Sequence, residues 1–425
     1  MLGALTRAGF AIAMNPEEAQ VLVVNTCAFI EAAKKESIDA ILDAAALKKE
    51  GIGRRLVVAG CLSQRYGAEL REKLPEVDVF VGTGNFLDLP ELLRRTESPE
   101  ARPIPYPGAA HLLPNNEAPR LTTGDFFTSY LKISEGCNHK CAFCIIPKIR
   151  GLHQSRPLSE LVEEARVLVD GGVREINLIA QDLTAYGRDL TPPASLAQLL
   201  RELDRLDGLR WIRLLYCYPN FVNDQLLESI AELPKVVKYI DMPLQHADDG
   251  ILRAMRRERS GQALRKLLDR IRRKIPNVVL RSSFIVGFPG EDEAAFSRLS
   301  EFVREERFDR LGVFTYSREE NTAAYDLPAQ LPERVKRERR AALMALQAEV
   351  SMEKNREMIG REVEVLIEGP GVGRSRRLRG RTAGQAPEID GQIFVAGEAE
   401  AGDFVNARIE NAKTYDLDGR IVSVH

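Results

Sequence analysis

Apolar residues along this chain fall into two alternating patterns. Short β-rich runs occupy 21–25, 56–59 and 77–81, and amphipathic stretches at 30–47 and 68–74 fill the gaps, with charged residues on their outer faces. The first pattern predicts strands and the second helices. Leu2, Leu5 and Phe10 form a further helix-like run ahead of the first strand. Strands that alternate with helices predict a parallel sheet with helices packed on it.

The same unit recurs further on. Strands are expected at 130–133, 175–179, 211–215, 237–240, 278–284 and 310–315, with helices such as 159–169 and 291–304 between them. Six strand–helix units predict an open (β/α)6 barrel, with its active site at the C-terminal ends of the strands. A long charged helix is expected over 332–357. From 363 the pattern changes to short strands at 363–367, 392–395 and 404–410, separated by glycines and turn residues. That predicts a small antiparallel β-barrel. Pro99, Pro103, Pro105, Pro107, Pro114 and Pro119 remove amide donors and block helix, so 99–125 reads as a linker. The expected organisation is therefore α/β: an N-terminal parallel-sheet domain (1–98), the linker (99–125), a barrel core with its trailing helix (126–357) and a C-terminal barrel (358–425).

Composition narrows the class. A chain of 425 residues is long enough for two or three domains, and 44% hydrophobic residues supply a sizeable core. No apolar run reaches the ~18 residues that mark a membrane-spanning helix, and the first fifteen residues do not read as a signal peptide. Six cysteines are too sparse for a disulfide scaffold, and their clustering suits metal in a reducing cytoplasm. The net charge is −2, without the basic surplus of a protein that grips nucleic acid broadly. The basic run at 253–274 reads as the solvated face of helices, since Ile251, Leu252, Leu264, Leu267, Leu268 and Ile271 lie among its charges.

Three of the cysteines stand in one stretch, Cys137, Cys141 and Cys144, spaced C-x3-C-x2-C directly after the strand 130–133. Three thiolates on one loop can hold three corners of a [4Fe–4S] cube. The iron left open could bind the amino and carboxylate groups of S-adenosylmethionine. Zinc is an alternative, with His139 or His153 as a fourth ligand, but no second paired C-x2-C element exists. A dithiol centre would use Cys141 and Cys144 and leave Cys137 idle. Cys27 and Cys61 each follow a predicted strand, which places both at the carboxyl edge of a parallel sheet, where ligands bind. Two small buried cysteines is the plainer reading of that pair. Cys217, between Tyr216 and Tyr218, reads as structural.

The C-x3-C-x2-C spacing, with the aromatic Phe143 just before its last cysteine, resembles the signature of the radical S-adenosylmethionine superfamily. Asn25-Thr26-Cys27-Ala28-Phe29-Ile30, Ala59-Gly60-Cys61-Leu62, the stretch from Glu135-Gly136-Cys137 to Arg150-Gly151, and Ser155-Arg156-Pro157 are similar to the methylthiotransferase family. That resemblance covers nearly the whole chain. It implies an auxiliary [4Fe–4S] cluster in the N-terminal domain, held here by Cys27 and Cys61. It implies a radical core with a second cluster on Cys137, Cys141 and Cys144, and a C-terminal TRAM barrel. Phe143, Gln181, Asp241 and Gln245 would then stand near S-adenosylmethionine.

One branch of the family modifies an adenosine in tRNA, and the other an aspartate in the twelfth small-subunit ribosomal protein. The segments Pro243-Leu244-Gln245-His246-Ala247 and Ala386-Pro387-Glu388-Ile389-Asp390-Gly391 resemble the ribosomal-protein branch. Charge argues the same way. From Thr382 onward Glu388, Asp390, Glu398, Glu400, Asp403, Glu410, Asp416 and Asp418 outnumber Arg408, Lys413 and Arg420. An acidic tail attracts a basic protein and repels phosphate; the basic run at 374–381 is a counter-signal. The expected partners are the small-subunit ribosomal protein or the ribosome and a reducing electron donor, with tRNA the alternative substrate, no membrane, and a monomeric enzyme.

The sequence departs from the family in one respect. Its members supply a third cysteine to the auxiliary cluster from a Gly-Cys-Pro-Lys-Asn-like loop after the first strand. Either this strand and loop lie upstream of the present Met1 or the protein has lost that ligand; the first is expected, and with two thiolates alone the auxiliary cluster should bind poorly.

Overall fold

The computed structural model describes residues 1–51, 53–95, 120–121, 124–371 and 377–425. Most of the expected linker, 99–125, and the start of the basic run at 374–381 lie outside them. Two compact units result, one of 1–122, 135–154 and 317–325, the other of 123–134, 155–316 and 326–425.

The first unit is built on a parallel sheet of β1 (Val21–Thr26), β2 (Arg55–Gly60) and β3 (Val79–Val81), in that order. Its helices are α1 (Leu2–Arg7), α2 (Glu31–Glu50), α3 (Cys61–Lys73), α4 (Leu89–Arg95) and α5 (Ile146–Arg150). Strand side chains alternate between faces, so the apolar run of β2 feeds two cores. Leu56 and Val58 pack with Ile41, Leu62, Leu70, Ile145 and Ile149. Val57 and Ala59 pack with Leu5, Leu89, Leu92 and Leu93. A sheet covered on both faces needs a continuous apolar run rather than an alternating one, and β2 supplies it. Full burial of each such side chain is worth ~1.5–3 kcal/mol. Ile145, the N-cap of α5, and Ile149 in its last turn thus fix the helix, and with it the cysteine loop, onto the sheet.

In the second unit β4 (Thr128–Lys132), β5 (Glu175–Ile179), β6 (Trp211–Leu214), β7 (Val236–Asp241), β8 (Val279–Val286) and β9 (Arg310–Thr315) form a parallel sheet in sequential order, open between β4 and β9. Helices α6 (Leu158–Asp170), α7 (Leu196–Asp204), α8 (Asp224–Glu232), α9 (Asp249–Ala254), α10 (Gly261–Lys274), α11 (Glu293–Glu306) and α12 (Glu333–Arg356) belong to this unit. Ile176, Leu178, Ile212, Leu214, Ile240, Leu280 and Phe284 make up the strand side of the core under the helices. The alternate positions carry Glu175, Asn177, Arg213, Tyr239, Asp241 and Arg281.

The C-terminal strands β10 (Glu362–Pro370), β11 (Leu378–Thr382), β12 (Ile393–Ala396), β13 (Phe404–Ala412) and β14 (Leu417–Val424) close into a barrel in the order β10-β11-β12-β14-β13. Four seams are antiparallel and the β12–β14 seam is parallel. The barrel packs on the sheet through Trp211, Val237, Tyr239, Leu366, Ala386 and Phe404. A buried charge cluster reinforces that contact. Arg381 donates to Glu175 at 2.6 Å and to Glu368 at 2.5 Å, and Arg213 reaches Glu175 at 3.0 Å. Burial alone would raise the Glu175 pKa, but the two guanidinium charges hold it at about 2.

Candidate cluster-binding site

Both cysteine groups lie in the first unit. Strand register brings the pair together. Val21 pairs with Arg55, and the ladder runs in step to Thr26 opposite Gly60. One step further, Cys27 and Cys61 stand abreast at the carboxyl edge of the sheet. Gly60 makes the approach possible. Its φ is +103°, and a Cβ there would lie 2.5 Å from the Thr26 carbonyl. The Thr26 hydroxyl donates to the Ala59 carbonyl at 2.7 Å and locks the two strand ends. Helix α3 was expected only from 68. A short helical turn from Cys61 precedes it, and a kink at Tyr66 separates that turn from the helix expected from 68. Cys27 is exposed, and Ser37 Oγ bonds both its N–H and its carbonyl at 3.0 Å.

The triplet loop is closed by its own backbone. Cys137 N–H donates to the Gly151 carbonyl at 3.0 Å, and Cys144 N–H to the Cys141 carbonyl at 3.1 Å. Gly136 adopts φ +76°, and a Cβ there would meet the Leu152 carbonyl at 2.2 Å. Asn138 Oδ1 accepts from His153 N–H at 3.0 Å. Phe143 is half-buried within the turn. All six cysteines are thiols outside any disulfide. Among the described residues no three His, Cys, Asp or Glu side chains gather closely enough for one metal ion. A cube spreads its thiolates over separate irons, and three cysteines on one glycine-bounded loop fit that donor set.

Further residues organise these groups, and the sequence reading gave none of them a role. Arg150 ends α5 and donates from Nη2 to Cys61 Sγ at 3.2 Å, while its Nη1 lies 3.3 Å from Glu135 Oε2. Burial pushes the Cys61 thiol up, against the lowering effect of the Arg150 charge. Arg65 donates to the Ala28 carbonyl at 2.8 Å, to Glu319 at 2.9 Å and to the Glu320 carbonyl at 2.9 Å. Glu319 also lies 3.1 Å from Lys34 Nζ and accepts from Ser317 Oγ at 2.8 Å. In the same segment Ala324 N–H donates to the Ala142 carbonyl at 2.8 Å, inside the triplet loop. Segment 317–325 therefore braces both cysteine groups. Arg150 was visible in the Arg150-Gly151 motif; no local signal pointed to Glu319, which is far from both groups in sequence.

The remaining expected site residues belong to the second unit. Gln181 follows β5, and its Oε1 is buried without a hydrogen-bond partner among the described residues. The neighbouring Asp182 accepts from Thr184 N–H at 2.8 Å and caps a short turn. Asp241 ends β7, nearly buried, with Arg281 Nη1 at 2.8 Å. Burial raises its pKa despite that partner. Gln245 has φ +76° and pairs with β8 through Ser283 O at 2.9 Å and Ile285 N at 2.8 Å. His246 Nδ1 accepts from Asp248 N–H at 2.9 Å, and its Nε2 lies 3.3 Å from Glu291. Cys217 is buried, its thiol pushed up by that burial, as a structural cysteine would be. Asp390 does not belong to an exposed acidic surface: it accepts from Tyr239 OH at 2.7 Å and lies 3.7 Å from Arg281.

Three family models match the chain. Radical SAM superfamily covers residues 131–303, Uncharacterized protein family UPF0004 covers 1–82, and TRAM domain covers 359–422. Among curated proteins, Ribosomal protein uS12 methylthiotransferase RimO of Geobacter sulfurreducens is 49% identical, over 100% of this chain and 95% of that protein. The protein of the same name from Anaeromyxobacter sp. (strain K) is 50% identical, over 100% of this chain and 90% of its own length. Among solved structures, the radical S-adenosylmethionine methyltransferase TsrM of Kitasatospora setae superposes with a TM-score of 0.56 at 15% identity, over 76% of this chain and 70% of that one. The last likeness concerns the fold alone.

Proposed function

The chain belongs to the RimO family of ribosomal protein uS12 methylthiotransferases, and from that premise we propose that it attaches a methylthio group to the β-carbon of an aspartate in uS12. The observation that carries the reading is one compact unit containing both the Cys137/Cys141/Cys144 loop and the abreast pair Cys27 and Cys61. When bound, a [4Fe–4S] cluster with an open iron supplies the electron that cleaves S-adenosylmethionine and so generates the carbon radical that abstracts hydrogen.

The chain's own residues bind and orient. Cys137, Cys141 and Cys144 would hold that cluster, with Phe143 beside it. Cys27 and Cys61 would hold two corners of an auxiliary cluster on the route of the incoming sulfur. Gln181 Oε1, a buried acceptor without a partner among the described residues, suits the ammonium of the methionine moiety, since leaving it unpaired costs about 1–3 kcal/mol. Gln245 holds its side chain on a loop fixed by β8. Asp241 contributes to a ribose contact only through the oxygen that Arg281 leaves available. The basic substrate would meet the acidic C-terminal barrel, in a reducing cytoplasmic setting with a low-potential electron donor.

Mass spectrometry of uS12 and of tRNA from a strain lacking this protein tests the proposal. Loss of a methylthio group from the uS12 aspartate alone is expected. An unmodified tRNA adenosine beside normal uS12 would overturn it in favour of the tRNA branch.

A further inference from the structure

Tyr216 follows β6 with a backbone that a tyrosine adopts only under constraint. Its φ is +79°, in the left-handed region that glycine enters freely and a bulky side chain does not. Both of its backbone polar groups are held. Its carbonyl accepts from Leu183 N–H at 3.2 Å, beyond the end of β5, and its N–H donates to the Asp241 carboxylate at the end of β7. The next residue, Cys217, is anchored in turn. Its N–H donates to the Asp241 carbonyl at 2.8 Å, and its side chain lies 1% exposed in the core under the helices. The strand ends on both sides thus hold Tyr216 at the carboxyl edge of the sheet, where ligands of such barrels bind. Tyr216 is 45% exposed there, against 7% for Tyr218. Strain of this kind persists only where the surroundings impose it, and it gathers at ligand sites.

We infer that Tyr216 is a specificity-determining residue whose ring takes the cationic side chain of a lysine or arginine beside the target aspartate; this rests on the proposed reading of the chain as a uS12 methylthiotransferase. An aromatic face attracts a cation through its quadrupole. A ring whose backbone is fixed in advance loses little freedom on binding, so more of that attraction appears as affinity. The same edge already holds guanidinium groups in this way. Arg257 lies 4.2 Å from the Tyr218 ring centroid, and Arg188 lies 3.7 Å from that of Phe221. Those two cations belong to the chain itself; the more exposed ring of Tyr216 is open to one from a basic polypeptide. Successive Cα atoms of that polypeptide are about 3.8 Å apart. A flanking cation held on a fixed ring therefore also sets the place of the aspartate next to it. An aspartate in a neutral or acidic stretch would lack that hold.

Equilibrium binding of purified uS12 to the reconstituted full chain tests this. Tyr216→Leu keeps an apolar side chain without an aromatic face, and should weaken uS12 binding about 3- to 30-fold. Tyr216→Phe should bind as wild type does. A uS12 in which the lysines and arginines flanking the target aspartate are replaced by Gln should bind wild type more weakly by a similar factor, and should bind wild type and Tyr216→Leu alike. Affinity for S-adenosylmethionine, read by equilibrium dialysis, should be the same in wild type and Tyr216→Leu. Tyr216→Gly should unfold at a higher denaturant concentration than Tyr216→Ala, since glycine alone takes the left-handed backbone without cost. The inference is overturned if Tyr216→Leu binds uS12 as wild type does, if its loss persists undiminished with the neutralised uS12, or if affinity for S-adenosylmethionine falls in place of affinity for uS12. A Gly variant no more stable than the Ala variant removes the strain that singled out Tyr216, and overturns it as well. Should Tyr216→Leu fail to fold, wild type with the neutralised uS12 decides, and unweakened binding there overturns the inference too. If wild type binds neither form of uS12, the proposed function itself fails and takes this inference with it, which is a different outcome.

Discussion

The two compact units use buried charge for different ends. In the cysteine-bearing unit, guanidinium groups reach out to the site: Arg150 to the Cys61 sulfur and Arg65 to the carbonyl beside Cys27. In the sheet-and-barrel unit, buried charges end chiefly on one another. Arg213, Arg381, Glu175 and Glu368 pair with one another, as do Arg281, Asp241 and Asp390. The first arrangement makes sulfur a party to the network. The second pairs charge with charge and works as a clamp between sheet and barrel. One kind of interaction therefore marks a site in one unit and a joint in the other.

The largest effects should separate chemistry from fold within the cysteine unit. Replacing Cys137, Cys141 or Cys144 with Ala should abolish formation of 5′-deoxyadenosine from S-adenosylmethionine under reducing conditions. Replacing Cys27 or Cys61 should leave that cleavage measurable and abolish the methylthiolated product. Chromatography of the nucleoside and mass spectrometry of uS12 read the two steps apart. Cleavage at the normal rate in a triplet variant would remove the assignment of that loop.

The clamp should behave in the opposite way. Glu175→Gln keeps the shape of the side chain but leaves Arg213 and Arg381 short of a buried counter-charge. Breaking one partner of a buried pair costs about 3–5 kcal/mol. The midpoint of chemical unfolding should fall accordingly, with iron content per folded chain unchanged. A variant of normal stability that binds less iron would invert the contrast between the units.

Acid should discriminate between them as well. Burial alone would raise the Glu319 pKa, but hydrogen bonds from Ser317, Arg65 and Lys34 bring it below the ordinary carboxylate value. A depressed pKa means that its contribution is complete above the unfolded value of about 4.3 and is lost as pH falls through the folded one. Segment 317–325 should therefore loosen below about pH 4.3. Hydrogen exchange at Ala324, whose amide bonds to the triplet loop, reads that loosening. Glu319→Gln, neutral at every pH, should flatten the acid dependence and cost about 1.5–3 kcal/mol near neutrality, as lost charged hydrogen bonds do. An unchanged acid profile would show that Glu319 is not the brace.

The contrast also explains what the chain disclosed in advance. Strand–helix alternation foretold the two parallel sheets: β2 carries a continuous apolar run, while strands of the second sheet set apolar residues toward the helices between polar ones such as Glu175, Asn177 and Arg213. The triplet was plain because its three ligands are neighbours in sequence. The pair needed the sheet: only the in-step register from Val21–Arg55 to Thr26–Gly60 sets Cys27 beside Cys61. The short turn Cys61–Arg65 ahead of the Tyr66 kink was missed because polar Ser63, Gln64 and Arg65 hide the helical period there. Strand β11 was missed because its charges look like a solvated run, whereas Arg381 is in fact 1% exposed against Glu175. Long-range partners such as Arg65 and Glu319, 254 residues apart, have no local pattern to read.

The smallest expected effect concerns the acidic barrel, and it requires separating clamp from surface. Glu388 and Asp390 look alike in sequence, yet Asp390 accepts from Tyr239 and faces Arg281, so its reversal to Lys should destabilise the clamp and report nothing about docking. Glu388 is exposed at a tip with φ +66°, on a loop held at its base by Gln385 and Asp390. A single exposed charge contributes at most about 1 kcal/mol, and rim charges act mainly on association rate. Glu388→Lys should therefore slow the binding of purified uS12 a few-fold at low salt, with unfolding unchanged. The difference should vanish at high salt, where the screening length falls to about 3 Å at 1 M. Binding kinetics with uS12, and the same measurement with bulk tRNA as competitor, provide the test. If Glu388→Lys binds uS12 as fast as wild type at low salt while tRNA displaces it, the acidic barrel is not a docking surface for a basic protein.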